Sequence, residues 1–378
     1  MESITFVCPC LLGVEGFVAD ELREMGIADV RPENGRVLFS GDFSTMAKVN
    51  IGSRYSERVE ILLSRFEAHS FEELFQGVRA LPWEDWIGAE DAFPVRGRSI
   101  SSQLASIPDC QAIIKKAVVE RLKRTYRTDW FKETGPVHQI QFLIMKDMVS
   151  IMLDTSGPAL HKRGYRRSSA EAPIRETLAA AMVKAARVRS DGTFYDPFCG
   201  SGTLLIEATT TACNIAPGMM RRFSAENWGS VPAAVWQQEK ELARAAIKRD
   251  AEFRAFGSDI DGAAVALALD NARKAGVVSK IRVERADIAD FRQDTEFGCV
   301  VTNPPYGERL LDIKTAQEIY RTMGQVFQPK RGWSFSVISP DEEFEKCFGR
   351  RADKRRKLYN GMLKCQLYQF FKTPDRER

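Results

Sequence analysis

Through the second half of the chain, short apolar runs alternate with stretches in which apolar residues recur at helical spacing. Residues 192–196 predict a short buried strand and residues 203–208 open a helix. Residues 256–260 predict another strand, 263–274 a helix that stops before Gly276, and 281–283 a third strand. Residues 298–302 form an apolar run suited to a sheet buried on both faces. This alternation predicts an α/β domain on an open parallel sheet, which binds ligands at the carboxyl edge of its strands.

The first half is patterned differently. Strands over 5–7, 36–39 and 59–63, separated by helices over 14–25 and 43–51, predict small α+β units. A helix over 71–81, an extended stretch over 93–96, a helix within 108–128 and a hairpin over 139–153 turning at Lys146 and Asp147 extend that pattern. Residues 157–169 are polar, basic and rich in chain breakers, which predicts a connection. An alanine-rich helix over 174–188 then leads into the strand at 192.

Composition narrows the picture only a little. A length of 378 residues suits two or three domains. The N-terminus has no basic leader followed by a long apolar stretch, and no run approaches the length of a membrane helix, so a cytoplasmic protein without membrane contact is expected. The eight cysteines are too dispersed for a disulfide framework, and Cys8-Pro9-Cys10 lacks a second pair, so no metal is expected. A net charge of +4 names no partner.

The chemistry lies in two segments about a hundred residues apart. Asp196-Pro197-Phe198-Cys199-Gly200-Ser201-Gly202-Thr203 joins a strand to a helix through a glycine turn, which brings backbone amides and the positive helix end to a ligand. Leu205 stands where a dinucleotide fingerprint needs a small residue, so the turn is not shaped for a pyrophosphate. The strands and acids downstream of the turn stand in the order that suits an adenosyl cofactor. Asp259, beside Ile260, sits where a carboxylate accepts from two ribose hydroxyls, with Asp261 as its rival. Asp287 is placed to accept from an adenine amino group, or is a surface loop acid. Cys199 is expected to pack beneath the cofactor rather than act as a nucleophile.

The second segment is Asn303-Pro304-Pro305-Tyr306, delivered at the end of the fourth strand. An exocyclic base amine is a poor nucleophile because its lone pair is delocalised into the ring. The Asn303 oxygen and the Pro304 carbonyl can each accept one amine hydrogen and aim the nitrogen, while the Pro304 and Pro305 rings stiffen the turn. Tyr306 offers a ring face to a base drawn out of its stack. No strong general base is needed, so His69, His138 and His161 are expected to be structural or surface residues.

Basic residues cluster twice. On the helix within 108–128, Lys116, Lys123, Arg124 and Arg127 fall largely on the outer face; residues 350–357 form a denser cluster that includes Arg355 and Arg356. Either set can lie along phosphates or be a solvated face.

Taken with Arg96-Gly97-Arg98-Ser99-Ile100-Ser101-Ser102-Gln103, Leu160-His161-Lys162-Arg163-Gly164-Tyr165-Arg166 and Ala172-Pro173-Ile174-Arg175-Glu176, these two segments resemble those of bacterial THUMP-domain RNA methyltransferases of the large-subunit rRNA guanine-N2 type. The resemblance covers essentially the whole chain. It implies a ferredoxin-like domain over 1–58, a THUMP RNA-binding domain over 59–157, a linker over 158–173 and a class I (Rossmann-like) methyltransferase domain over 174–378. It also implies S-adenosyl-L-methionine as cofactor and structured RNA as partner, most directly 23S rRNA or a large-subunit precursor. RNA contacts are then expected from Arg96, Arg98, Lys116, Lys123, Arg124, Arg127, Lys162, Arg163, Arg355 and Arg356. Relatives that modify tRNA, the use of the same amine-binding segment on DNA, and a non-catalytic assembly role remain the alternatives.

Overall fold

The computed structural model describes residues 3–166, 174–306 and 313–371. Of the segments that carry the family resemblance, residues 172–173 and 307–309 lie outside that set.

The N-terminal half is one seven-stranded sheet. Its strands are β1 (Ile4–Pro9), β2 (Arg31–Glu33), β3 (Arg36–Gly41), β4 (Glu60–Glu67), β5 (Val95–Ile100), β6 (Ile140–Met145) and β7 (Met148–Asp154), in the order β2-β3-β1-β4-β7-β6-β5. Only β5 and β6 pair in parallel. Strand alternation decides the buried face: in β6, Ile140, Phe142 and Ile144 are buried while Gln141, Leu143 and Met145 between them are half-exposed. Helices α1 (Glu15–Glu24), α2 (Phe43–Gly52), α3 (Phe71–Arg79) and α4 (Ile107–Tyr126) share a core with that face. The start of α3 is fixed by a capping box between Ser70 and Glu73. Lys146 and Asp147 both take positive φ, as a two-residue hairpin turn between β6 and β7 requires. The other sheet face carries only the small cluster of Val7, Leu38 and Met152.

The second half begins with α5 (Glu176–Ala185) and continues through β8 (Thr193–Asp196), α6 (Thr203–Ala212), α7 (Ala233–Ala245), β9 (Arg254–Asp259), α8 (Gly262–Lys274), β10 (Ile281–Arg285), β11 (Gly298–Thr302), α9 (Ile313–Val326), β12 (Trp333–Ser339), α10 (Phe344–Phe348), β13 (Lys354–Asn360) and β14 (Leu363–Phe370). The sheet order is β10-β9-β8-β11-β12-β14-β13, parallel from β10 to β12, with β14 antiparallel to both its neighbours. Strand order reverses between β8 and β11, which opens a crevice at their carboxyl ends. Both chemical segments begin there.

The halves are bonded together. Arg54 donates to the Ile215 carbonyl (2.8 Å), Ser44 to Glu239 (2.7 Å) and Arg221 to the Ala159 carbonyl (3.1 Å). Trp228 donates to the Val137 carbonyl (3.0 Å) while its ring stacks on the buried His138 at 4.4 Å. Among the described residues, no helix is long and apolar enough to cross a membrane.

Candidate active site

The glycine turn leaves β8 and enters α6. Gly200 takes φ +48, and a Cβ built on it meets nothing within 4 Å, so its backbone faces open space. Gly257 in β9 is required for a different reason: a Cβ there would lie 2.4 Å from Leu205 Cδ1 and 3.1 Å from Cys199 Cβ, so β9 approaches the turn only as glycine. From α8, the Asn271 side-chain amide donates to the Ser201 carbonyl (2.9 Å) and holds the turn from behind. Arg166 reaches in from the connecting segment and donates to Thr203 Oγ1 (2.5 Å) and the Ile174 carbonyl (3.0 Å).

Asp259 stands at the end of β9 and accepts from the amides of Gly200 (2.9 Å) and Asp261 (3.0 Å), one on each oxygen. Its rival Asp261 caps α8 by accepting from Ala263 N (2.8 Å). Ile260 holds an apolar side chain 64% exposed beside Asp259, a surface suited to a planar ring. Asp287, at the carboxyl end of β10, is exposed and accepts from Ala289 N (2.9 Å).

Asp196 differs from its expected role. Its carboxyl is buried and accepts from Thr302 Oγ1 (2.7 Å) and Phe198 N (3.2 Å), so it staples the end of β8 to β11 instead of offering a carboxylate to a ligand. Burial pushes its pKa up to about 7. Burial also raises the Cys199 thiol well above its ordinary range, which removes it as a nucleophile and agrees with its packing role.

Asn303 follows Thr302 at the switch point. Its Oδ1 is buried and, among the described residues, has no hydrogen-bond donor. A buried acceptor without a partner costs about 1–3 kcal/mol, so this atom calls for a donor that the described residues do not supply. Pro304 is buried behind it. Tyr306 is half-buried, and its hydroxyl receives the Asn360 side-chain amide (2.5 Å) from the end of β13. Asn360 and Asn271 were not legible as site residues: each acts on a motif 54 or 70 residues away, with no local pattern to mark it, whereas Arg166, which bonds Thr203, closes the segment 160–166 that carries the family resemblance.

The fit to an adenosyl group is therefore good: an open glycine cradle, a fixed carboxylate and an exposed aliphatic side chain beside it stand at the carboxyl ends of β8 and β9. Among the described residues, no group of His, Cys, Asp and Glu is placed to hold a metal ion. The three histidines lie elsewhere, His161 on Glu57 (2.8 Å), His69 near Glu67 (3.2 Å) and His138 under Trp228.

The expected RNA cations do not behave as one set. Arg96 and Arg98 project from edge strand β5 and are exposed, as are Lys116, Arg124, Arg127 and Lys162. Lys123 is half-buried, 3.8 Å from both Glu120 and Asp129. Arg163 must be withdrawn: it is only 6% exposed, faces Glu207 and donates to the carbonyls of Arg54 (2.6 Å) and Leu160 (2.9 Å). Arg355 is exposed and donates to Glu345 (2.8 Å), and Arg356 lies over the Phe17 ring at 4.5 Å.

The parallel sheet, its switch point and this cradle define a class I, adenosylmethionine-dependent methyltransferase. Family models match along the chain: "RlmL ferredoxin-like domain" over residues 5–60, "THUMP domain" over 68–154 and "RMKL-like, methyltransferase domain" over 163–369. The chain belongs to this family of THUMP-bearing RNA methyltransferases.

The chain is 40% identical to the "Putative RNA methyltransferase YpsC" of Bacillus subtilis, covering 98% of this chain and 97% of that protein. It is 34% identical to the "Ribosomal RNA large subunit methyltransferase K/L" of Psychromonas ingrahamii over 99% of its own length, but spans only 51% of that relative. Two solved structures superpose over nearly the whole chain. "SMU.472, a putative methyltransferase complexed with SAH" matches with TM-score 0.93 and 41% identity, covering all of both chains. A "predicted N6-adenine-specific DNA methylase" from Listeria monocytogenes matches with TM-score 0.92 and 42% identity, covering 98% of this chain and 97% of that one.

Proposed function

We propose that this protein methylates the exocyclic N2 amine of a guanosine in large-subunit ribosomal RNA. The observation that carries the reading is the Asn303 Oδ1, an acceptor buried at the crevice with no donor to it among the described residues. When bound, adenosylmethionine supplies an electrophilic methyl carbon. Gly200, Asp259 and Ile260 hold and orient it. Asn303 Oδ1 and the Pro304 carbonyl each accept one amine hydrogen, which fixes the direction of the nitrogen lone pair; positioning of this kind supplies several kcal/mol of barrier reduction, up to roughly 7–11. Tyr306, steadied by Asn360, gives the extruded base a ring to lie against. The amine proton leaves to water once the nitrogen is alkylated and strongly acidic, so no side chain has to serve as base.

The THUMP unit supports RNA over DNA, and the name of the K/L relative supports the large ribosomal subunit. The name of the Listeria structure favours a second reading, methylation of an adenine N6 amine, because Asn303 and Pro304 contact only the amine and adenine presents one as guanine does. Transfer of labelled methyl groups to unmodified rRNA, tRNA and DNA, followed by nucleoside mass analysis, separates the two. N2-methylguanosine from rRNA alone upholds the proposal; N6-methyladenosine from any substrate, or product from tRNA or DNA only, replaces it.

A further inference from the structure

Asn303 and Pro304 meet only the amine of a base, so another group has to tell guanine from adenine. The hairpin of β13 and β14 reaches the place where that choice is made. β14 pairs with β12 as far as Gln366 opposite Ser339, while β13 and β14 go on pairing to Asn360 opposite Leu363. The hairpin therefore carries Leu363, Lys364 and Cys365 beyond the end of β12, roughly 10 Å of overhang at a strand's usual rise. Because β12 runs parallel to β11, that overhang stands on the carboxyl edge, where Asn303 and Tyr306 follow β11.

The hairpin is pinned at its foot. Leu358 is fully buried, the Arg356 guanidinium lies 4.5 Å from the centre of the Phe17 ring, and Gly13 comes so close that a Cβ on it would sit 2.7 Å from the Lys357 carbonyl oxygen. The tip is closed by Gly361 and Met362, both exposed, with Gly361 at φ +64, the sign that a two-residue hairpin turn needs. Asn360, half-buried just before the tip, donates from its side-chain amide to the Tyr306 hydroxyl (2.5 Å). That bond uses the donor end of the amide, and what the residue still has to offer is Oδ1, an acceptor.

We propose that Asn360 is the residue that selects guanine: with Nδ2 held by Tyr306, its Oδ1 accepts the N1–H of the extruded base while Asn303 holds the amine. The inference rests on the guanosine reading and adds a contact that the Asn-Pro-Pro-Tyr segment does not make. A base lying against the Tyr306 ring has its perimeter beside the hydroxyl to which Asn360 is bonded. At the edge used for base pairing, guanine shows an N1–H donor next to its N2 amine, whereas adenine shows a bare N1 acceptor next to its N6 amine. Oδ1 therefore completes guanine and meets adenine with a second acceptor. A site built to bond a donor rejects the analogue that lacks it, because the buried acceptor is then left unpaired.

The test uses the full chain, adenosylmethionine and a synthetic oligoribonucleotide copied from the stretch of rRNA that the protein methylates, with guanine, 2-aminopurine or 2,6-diaminopurine at the target position. Both analogues keep the amine at C2 and replace N1–H by a bare acceptor. They differ from each other at C6, so a penalty common to both belongs to N1. The wild-type protein is expected to prefer guanine over each by roughly tenfold or more in kcat/KM. Asn360→Ala is expected to lose that preference, and Asn360→Asp, which can accept from the Tyr306 hydroxyl and from N1–H together, to restore it. A preference that survives Asn360→Ala, with all three substrates slowed alike, overturns the assignment and leaves Asn360 as a brace for Tyr306. A penalty on one analogue only overturns it as well, since position 6 would then be the group that is read. Wild-type protein that methylates adenine in rRNA and no guanine overturns the proposed reaction itself, and the selection of guanine falls with it.

Discussion

The two halves of the molecule hold their functional residues by opposite means. In the catalytic half, strand ends converge on one crevice and the side chains around Asn303 are tied down by hydrogen bonds: Asp259 by the Gly200 and Asp261 amides, Asp196 by Thr302, Tyr306 by Asn360. In the N-terminal half the cations are spread over a helix and an edge strand, and what separates a surface arginine from a structural one is the group across from it. Arg124 and Arg127 are exposed, whereas Arg163, a residue of equal chemistry, is spent on Glu207 and two carbonyls. Function in one half is written in backbone geometry, and in the other in charge that the fold has left unused.

The sharpest way to break that contrast is Arg163→Ala. With Glu207 left buried and unpaired, the change should cost about 3–5 kcal/mol of stability and leave the salt dependence of RNA binding as it was; urea unfolding and RNA titration together check both halves of the statement. A lowered salt slope would return Arg163 to the RNA set. Next in size, Asn303→Ala should reduce the rate of methyl transfer by roughly a hundredfold with adenosylmethionine affinity intact, as read by single-turnover kinetics and calorimetry. A comparable loss of cofactor affinity would show that Asn303 belongs to the cradle.

Asn360→Ala should act in the same direction more weakly, removing about 1 kcal/mol, or roughly fivefold in kcat, while Asn360→Asp, which can still bond the Tyr306 hydroxyl, recovers most of it. In the other half, Arg124→Ala and Arg127→Ala should each flatten the plot of log affinity against log salt by about one unit. A last expectation concerns stability against pH. Burial, with Asp154 nearby, pushes the Glu60 carboxyl from 4.5 up to about 8, so the folded chain binds more protons than the unfolded one within that window. Stability should therefore fall as pH rises from about 4.5 toward about 8 and level off above it. Glu60→Gln should flatten the decline in a pH series of thermal melts.

Much of this was readable in the chain itself. The strand ends that bear Asp259 and Asn303, the hairpin turn at Lys146 and Asp147 and the basic helix all follow from period and turn chemistry, because each is decided by residues a few positions apart. Short β2, with three residues and Pro32 among them, gives no alternating run to detect, and α7 lacks a side-chain cap to mark its start. The roles of Asn271 and Asn360 depend on tertiary approach and leave no trace in local pattern. The contacts of the cluster over 350–357 were hidden for a related reason: β13 turns Arg355 toward Glu345 and Arg356 toward Phe17, and no count of basic residues discloses either.

The bonds between the halves, from Arg54 to Ile215, Ser44 to Glu239 and Trp228 to Val137, carry one more implication. They set the two halves as the jaws of a caliper, with the opening fixed by the bonds between them. On the proposed reading, an RNA gripped by the first half is measured by that opening before it is modified, so that the choice of nucleotide depends on the substrate's own architecture as well as on its sequence.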